Sequence, residues 1–245
     1  MRHSLLTIII PTFNNSKIFD RMLYLENASF CHQHGLQIII CDDSTNENVY
    51  SRVKDISHYT YCKHERTGNP VDNWNFGHSQ ATCQYSWLLH HDEFVQNKDD
   101  FLKILEELKH TQSHGVFLKL KKIYNHGSSV FRPRIIQILC LRMPKILYFA
   151  NQLGSPSVLI HRRTSERYNR QLKWLVDVDF FVKFINKYSV QLIDVPVYSD
   201  SSMKESITNK IDNKYQLHID ELDVVKLNSY ERFMFKVLLR VKSYL

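Results

Sequence analysis

Two near-continuous runs of branched aliphatic residues constrain this chain more than any other feature. Residues 5–10 (LLTIII) and 36–41 (LQIIIC) carry too few polar side chains for strands with one wet face, which would alternate. They read instead as short strands buried on both sides, the pattern of a parallel sheet covered by helices above and below. About 30 residues separate their starts, enough for one helical crossover, and residues 17–34 carry Ile18, Met22, Leu25 and Ala28 at helical spacing. Further strands are expected at 59–63, 85–90, 115–120, 156–161 and 190–195, with helices near 71–84, 99–111 and 169–188. The alternation predicts an α/β fold, a single Rossmann-like mixed sheet flanked by helices and parallel in its N-terminal half. No linker or repeat interrupts it. The expected organisation is one domain over residues 1–200 followed by a C-terminal helical appendage, 201–245.

Composition excludes several classes. With 43% hydrophobic and 23% charged residues the chain is neither a disordered tail nor a multi-span membrane protein. No stretch approaches the roughly 18 apolar residues of a spanning helix, and the N-terminal apolar run is too short for a secretory signal. Five cysteines, odd in number and without CxxC spacing, argue for reduced thiols and a cytoplasmic location. Lys and Arg total 32 against 25 acids, a net charge of +7. That excess favours a polyanionic partner: nucleic acid, a phosphorylated small molecule, or an anionic membrane surface.

Ligands of open α/β sheets gather beyond the carboxyl ends of the strands, so the residues that follow each apolar run are the candidates. They are Pro11, Thr12, Phe13, Asn14 and Asn15 after the first, Asp42, Asp43 and Ser44 after the second, and His91, Asp92 and Glu93 after the run at 85–90. Asp42 and Asp43 fit a turn or helix cap as well as a ligand site. Asp92 and Glu93 close an apolar run, and hard oxygen ligands there suit Mg²⁺ or Mn²⁺ held jointly with phosphates. Asp177, in WLVDVDFF, sits among aromatic and aliphatic neighbours that would desolvate it, a setting shared by catalytic bases. An acid near a helix N-terminus gives the same pattern without catalysis.

Taken in order, TIIIPTFNN, IIICDDST, ATCQYSWLLHHDE, SPSVLIHRR and WLVDVDFF resemble the successive signatures of family 2 glycosyltransferases of the GT-A fold, over about residues 4–200. The resemblance, to the bacterial surface-polysaccharide or O-antigen type, implies transfer of a hexose or N-acetylhexosamine from a nucleotide sugar, UDP-linked by preference, to a saccharide hydroxyl, with inversion. It places Pro11, Thr12 and Asn14 on the loop facing the nucleotide, Asp42 at the nucleobase edge with Asp43 supporting it, and Asn73 and Trp74 beneath the donor. Asp92 joins the donor site and, with Glu93, holds Mn²⁺ or Mg²⁺. Asp177 matches the proposed base, and Arg162 or Arg163 would assist the leaving diphosphate. Three positions depart from the family pattern: Glu93 replaces the usual second Asp, Cys83 a common Gly, and Val176 a frequent Glu.

Two basic segments remain, 131–149 and 228–245. Arg232, Lys236 and Arg240 recur every four residues beside Phe233, Val237 and Val241, while Pro144 breaks the earlier segment. Either an anionic membrane, reached to meet a lipid-linked acceptor at the inner face of the cell membrane, or the body of the domain would cover such a stripe. His110 and His114 read as surface histidines; His90 and His91 read as one core and one site-facing residue. A nucleic-acid-binding protein and an inactive nucleotide-sugar-binding relative are the competing functions, and no RNP-type aromatic motif supports the first.

Overall fold

Pairing between the two apolar runs organises the sheet. In the computed structural model, residues 4–15, 21–90, 92–123, 129–200 and 212–243 are described. Strand β1 (Leu6–Thr12) lies parallel to β2 (Leu36–Asp42), and β2 to β3 (Tyr59–Lys63); on its other side β1 lies parallel to β4 (Tyr85–Leu88). Beyond β4 the direction changes. Strand β8 (Leu159–Arg162) is antiparallel both to β4 and to β6 (Gly115–Ile123), whereas β6 is parallel to β9 (Val190–Asp200). Short β5 (Glu93–Phe94) closes the edge on β9, and β7 (Ser129–Phe131) hairpins onto β6. The sheet is mixed, with the parallel half at the N-terminus as the sequence predicts.

Successive side chains of β1 explain why the run is apolar throughout. Ile8 and Ile10 enter one core layer with α1 (Ala28–Gln33), α2 (Asn48–Val53) and α4 (Lys98–His110). Ile9 enters the opposite layer with α3 (Pro70–Gln80) and α6 (Val176–Lys187). Helix α3 approaches the sheet so closely that a Cβ at Gly77 would lie 2.3 Å from Ile9 Cγ2. Asn69 caps α3 by accepting from the Val71 N–H, and Pro70 supplies a first turn that needs no donor.

Several boundaries differ from the sequence expectation, each for a local reason. From residue 21 onward, the expected helix 17–34 becomes a short 3-10 helix (Leu23–Glu26) and then α1, because Asn27 turns extended and caps the Phe30 N–H; residues 16–20 lie outside the described set. The strand expected at 156–161 starts late, since Pro156–Val158 forms a 3-10 turn. As Pro144 predicts, α5 (Arg134–Arg142) ends before a separate 3-10 turn, Pro144–Tyr148.

The helix expected at 169–188 begins only at Val176. Upstream, the buried Glu221 carboxylate accepts the backbone N–H groups of Lys173 at 2.6 Å, Trp174 at 3.1 Å and Leu175 at 2.7 Å. Glu221 ends α7 (Lys214–Glu221), which with α8 (Ser229–Ser243) occupies the described part of the expected appendage. Ile219, Leu222, Val225, Leu227 and Leu239 are buried in the same layer as Ile9, so these helices are seated on the core. Among the described residues, no helix is long and apolar enough to cross a membrane. Removing the carboxylate in Glu221→Ala takes the acceptor from three N–H groups, that of buried Leu175 among them, and we expect a loss of about 2 to 3 kcal/mol in chemical denaturation. Glu221→Gln, which keeps one acceptor oxygen, should recover part of that loss.

Candidate active site

Strand register brings the first polar cluster together. Thr12 pairs with Asp42 and Asp42 with Lys63, so the last residues of three parallel strands form one row. Asp42 is fully buried at its centre. Its Oδ1 accepts the Thr12 hydroxyl at 3.0 Å, the Ser44 N–H at 3.0 Å and the Ser44 hydroxyl. Its Oδ2 accepts the Tyr61 hydroxyl at 2.7 Å and faces Lys63 Nζ at 3.4 Å. Burial alone would raise this carboxyl, but the hydrogen bonds from Ser44, Tyr61 and Thr12 outweigh it and hold Asp42 below its ordinary range. Half-buried Asp43 moves the other way, raised by burial and by the neighbouring Asp42 charge.

The loop after β1 is fastened to the loop after β2. Asn14 adopts a left-handed conformation, φ 54°, which Asn tolerates better than most residues. Its N–H donates to Ser44 Oγ at 2.7 Å, and its side-chain oxygen accepts the Thr45 N–H at 2.9 Å. Pro11 is buried at the strand end. Exposed Phe13 carries the Arg66 guanidinium 4.8 Å above its ring.

Helix α3 lies beneath this edge. Buried Asn73 donates to the Cys41 carbonyl at 2.8 Å, pinning the end of β2, and its Oδ1 has no partner among the described residues. Half-buried Trp74 stands against His90, ring centroids 4.7 Å apart, and edge-on to Tyr168 at 5.5 Å. Asn75 exchanges two hydrogen bonds of 2.9 Å with the Tyr168 backbone, tying α3 to the segment before α6.

The second acidic cluster follows β4. Ligating atoms of His90, Asp92 and Glu93 all lie within 4.8 Å of one another; His91 lies outside the described residues. Ser157 organises the group: its hydroxyl donates to Glu93 Oε2, it accepts the His90 N–H at 3.1 Å, and its carbonyl accepts the Trp87 indole N–H at 2.7 Å. Glu93 is buried, and that burial, with the charges of Asp92 and Asp177, keeps its carboxyl well above the usual range. Two carboxylates and one imidazole at this separation are a donor set that fits Mn²⁺ or Mg²⁺, and the charge of a cation would reverse the cost of ionising Glu93.

Asp177 lies in the first turn of α6, half-buried. Burial pushes its carboxyl up to about 7. Its charge acts on both Glu93 and Tyr168, raising the carboxyl of the one and the hydroxyl of the other. Tyr168 stacks on Phe180 with centroids 4.2 Å apart, forming part of the apolar wall on this side.

Arg162 and Arg163 do not belong to this site. Because β8 runs antiparallel to β4, Arg162 pairs with Tyr85 at the start of β4, and the Arg163 N–H reaches the Gln84 carbonyl. Both arginines therefore stand at the opposite edge of the sheet, where Arg162 donates to the Thr111 and Ser113 carbonyls. What the SPSVLIHRR block contributes to the site is Ser157, at the other end of the strand. Ser157, Tyr61, Lys63, Arg66 and Tyr168 escaped the sequence reading. Strand direction would have identified the first, and the end of the 59–63 strand with the residues after it would have identified Lys63 and Arg66. A surface depression of about 410 Å³ lined by His34 and α4 lies at the N-terminal edge of β2 and away from these groups. His110 pairs with Glu106 on the exposed face of α4, in keeping with a surface histidine.

Comparison with known proteins places this arrangement. Comparison with the curated proteins finds no match. Among solved structures, S. aureus TarS 1–349 in complex with UDP-GlcNAc superposes with a TM-score of 0.68 at 17% identity, covering 94% of this chain and 70% of that one. Full-length S. aureus TarS gives 0.61 at 16% identity; this chain covers 42% of its length. The mannosyltransferase PcManGT from Pyrobaculum calidifontis, in complex with GDP-Man and Mn²⁺, gives 0.60 at 16% identity over 98% of this chain and 69% of that one. These likenesses establish the GT-A fold. The family model described as glycosyl transferase family 2 matches residues 7–190, about three quarters of the sequence, and the chain therefore belongs to that family of nucleotide-sugar-dependent glycosyltransferases.

Proposed function

We propose that the chain is an inverting transferase that moves a hexose or N-acetylhexosamine from a UDP-linked donor to a hydroxyl of a lipid-linked saccharide, in bacterial surface-polysaccharide synthesis of the O-antigen type, from the cytoplasm at the inner face of the membrane. One observation carries this reading: ligating atoms of His90, Asp92 and Glu93 gather within 4.8 Å of one another just after β4, at the end of the parallel strands that also presents Asp42 and Asp43. The nucleotide complexes of TarS and PcManGT support a nucleotide-sugar donor, and the Mn²⁺ of the latter supports a metal.

Each residue then has a physical task. Thr12, Ser44 and Tyr61 saturate Asp42, so Asp42 fixes the turn and Asp43 meets the nucleobase edge, an exchange of the roles that the family resemblance assigns. Pro11, Thr12 and Asn14 shape the loop over the nucleotide, while Asn73 and Trp74 form the floor. Asp92 and Glu93, with His90 as a third donor, would hold a divalent cation, whose charge would offset the negative charge gathering on the departing diphosphate. Asp177 accepts the proton of the acceptor hydroxyl as its oxygen bonds to the anomeric carbon and the sugar–phosphate bond breaks. Attack from the face opposite the leaving group inverts the centre. Tyr168 and Phe180 exclude water beside the base.

A low-turnover relative that binds the donor is the second reading, favoured by the depth at which Ser157 holds Glu93. Turnover separates the two: Asp177→Asn should reduce transfer by about 10²-fold or more while calorimetric affinity for the donor stays unchanged.

The raised Asp177 carboxyl sets a pH dependence. The base works deprotonated, so transfer should climb as pH rises and level off above about 7. Stability runs in the opposite direction. An acid whose folded pKa lies above its unfolded value stabilises the fold only while protonated, and that contribution is lost as pH rises from about 4 to about 7. Asp177→Asn should accordingly melt higher than the wild type at pH 8, and the difference should vanish near pH 4. In the cation site, Asp92→Asn should raise the Mn²⁺ concentration needed for half-maximal transfer by about tenfold or more.

A further inference from the structure

The positive charge of this chain has an address. Residues 131–149 and 228–245 hold eight Lys and Arg against one acid, Glu231, so the net +7 of the whole sequence resides in these two segments. They contain α5 and α8, and both helices turn apolar side chains to solvent. On α8, Leu239 is buried, whereas Tyr230, Phe233, Val237 and Val241 follow one another at three- and four-residue spacing on the outer face, Phe233 at 64% exposure. On α5 the inversion is plainer: Gln137 and Cys140 are buried while Ile135 (72%), Leu139 and Met143, four apart, are exposed. A helix that had only to cover the core would present the opposite faces.

Both helices cover the same layer of the core. Cys140 and Leu239 insert into it, and Lys145, just after α5, pairs with Glu231 in the first turn of α8 at 2.6 Å. The fringe is basic, with Arg132, Arg142 and Lys145 exposed beside α5 and Arg240 beside the α8 stripe. An apolar area of this kind marks an interaction surface. A second copy of the chain is a poor occupant, because an isologous contact would bring two such cationic fringes together. A bilayer containing anionic lipid satisfies both chemistries at once. Its acyl boundary receives Ile135, Leu139, Phe233 and Val237, and its headgroups neutralise the arginines.

We propose that α5 and α8 together form an interfacial surface that docks this protein, without crossing, on an anionic lipid membrane. This names the partner surface for the lipid-linked acceptor reading and rests on it only for its purpose, since docking needs no catalysis.

Co-sedimentation of the whole chain with phosphatidylcholine vesicles, with and without phosphatidylglycerol, tests it. The wild type should partition onto phosphatidylglycerol-containing vesicles about tenfold better or more than onto phosphatidylcholine alone, since an anionic surface attracts each exposed basic group. The double variant Leu139→Glu/Phe233→Glu should lose about tenfold of that partitioning while keeping its melting temperature and donor affinity. Arg142→Glu should weaken binding only where phosphatidylglycerol is present. Undiminished binding by the double variant, or no preference of the wild type for anionic vesicles, overturns the proposal. So does a wild-type dimer that the double variant converts to monomer. Transfer to a soluble acceptor, measured separately, reports on the transferase reading: intact transfer without vesicle binding sinks the surface alone.

Discussion

The fully buried Asp42 carboxylate is the interaction on which the carboxyl edge of the parallel strands depends. A lone ionised acid in that position would be prohibitively unfavourable, so its neighbours are arranged to donate to it. Thr12 reaches it from β1, Ser44 from its own turn, and Tyr61 and Lys63 from β3. The carboxylate thereby locks three strand ends at one level, and Ser44 extends the lock to Asn14 in the first loop. A fixed edge of this kind would keep the proposed donor-binding groups in place without reorganisation during the reaction. Replacing Asp42 would cost the geometry of two loops as well as one charge.

A second device holds the other half of the site. The base role proposed for Asp177 draws on its desolvation, and desolvation is a cost that its segment has to withstand. Glu221 supplies the restraint by accepting three successive N–H groups just before α6, and α7 carries that acid into the core. The helices after residue 212 thus fix the start of the helix that bears Asp177.

Much of this was legible from local pattern. Continuous branched runs identified β1 and β2, turn-forming acids marked their ends, and Asp177 stood out by its apolar surroundings. What local pattern could not supply was direction. Nothing in SPSVLIHRR says that β8 runs against β4, and that single fact moves Arg162 and Arg163 to the far edge and brings Ser157 to Glu93. Saturation was equally hidden: the pair Asp42–Asp43 looks symmetric in sequence, and only the pairing of Thr12, Asp42 and Lys63 shows which acid is sealed. The exposed apolar faces of α5 and α8 have the same origin, because an apolar stripe does not state whether it faces a core or solvent.

Donor binding by variants at the two edges of the sheet is the most direct measurement. Calorimetric titration of UDP-GlcNAc in the presence of Mn²⁺ should show binding by the wild type, undiminished binding by Arg163→Ala, and affinity reduced by about tenfold or more in Asp92→Asn. Equal binding by Asp92→Asn and the wild type, or loss of binding in Arg163→Ala, would contradict the placement of the site at the carboxyl ends of the parallel strands.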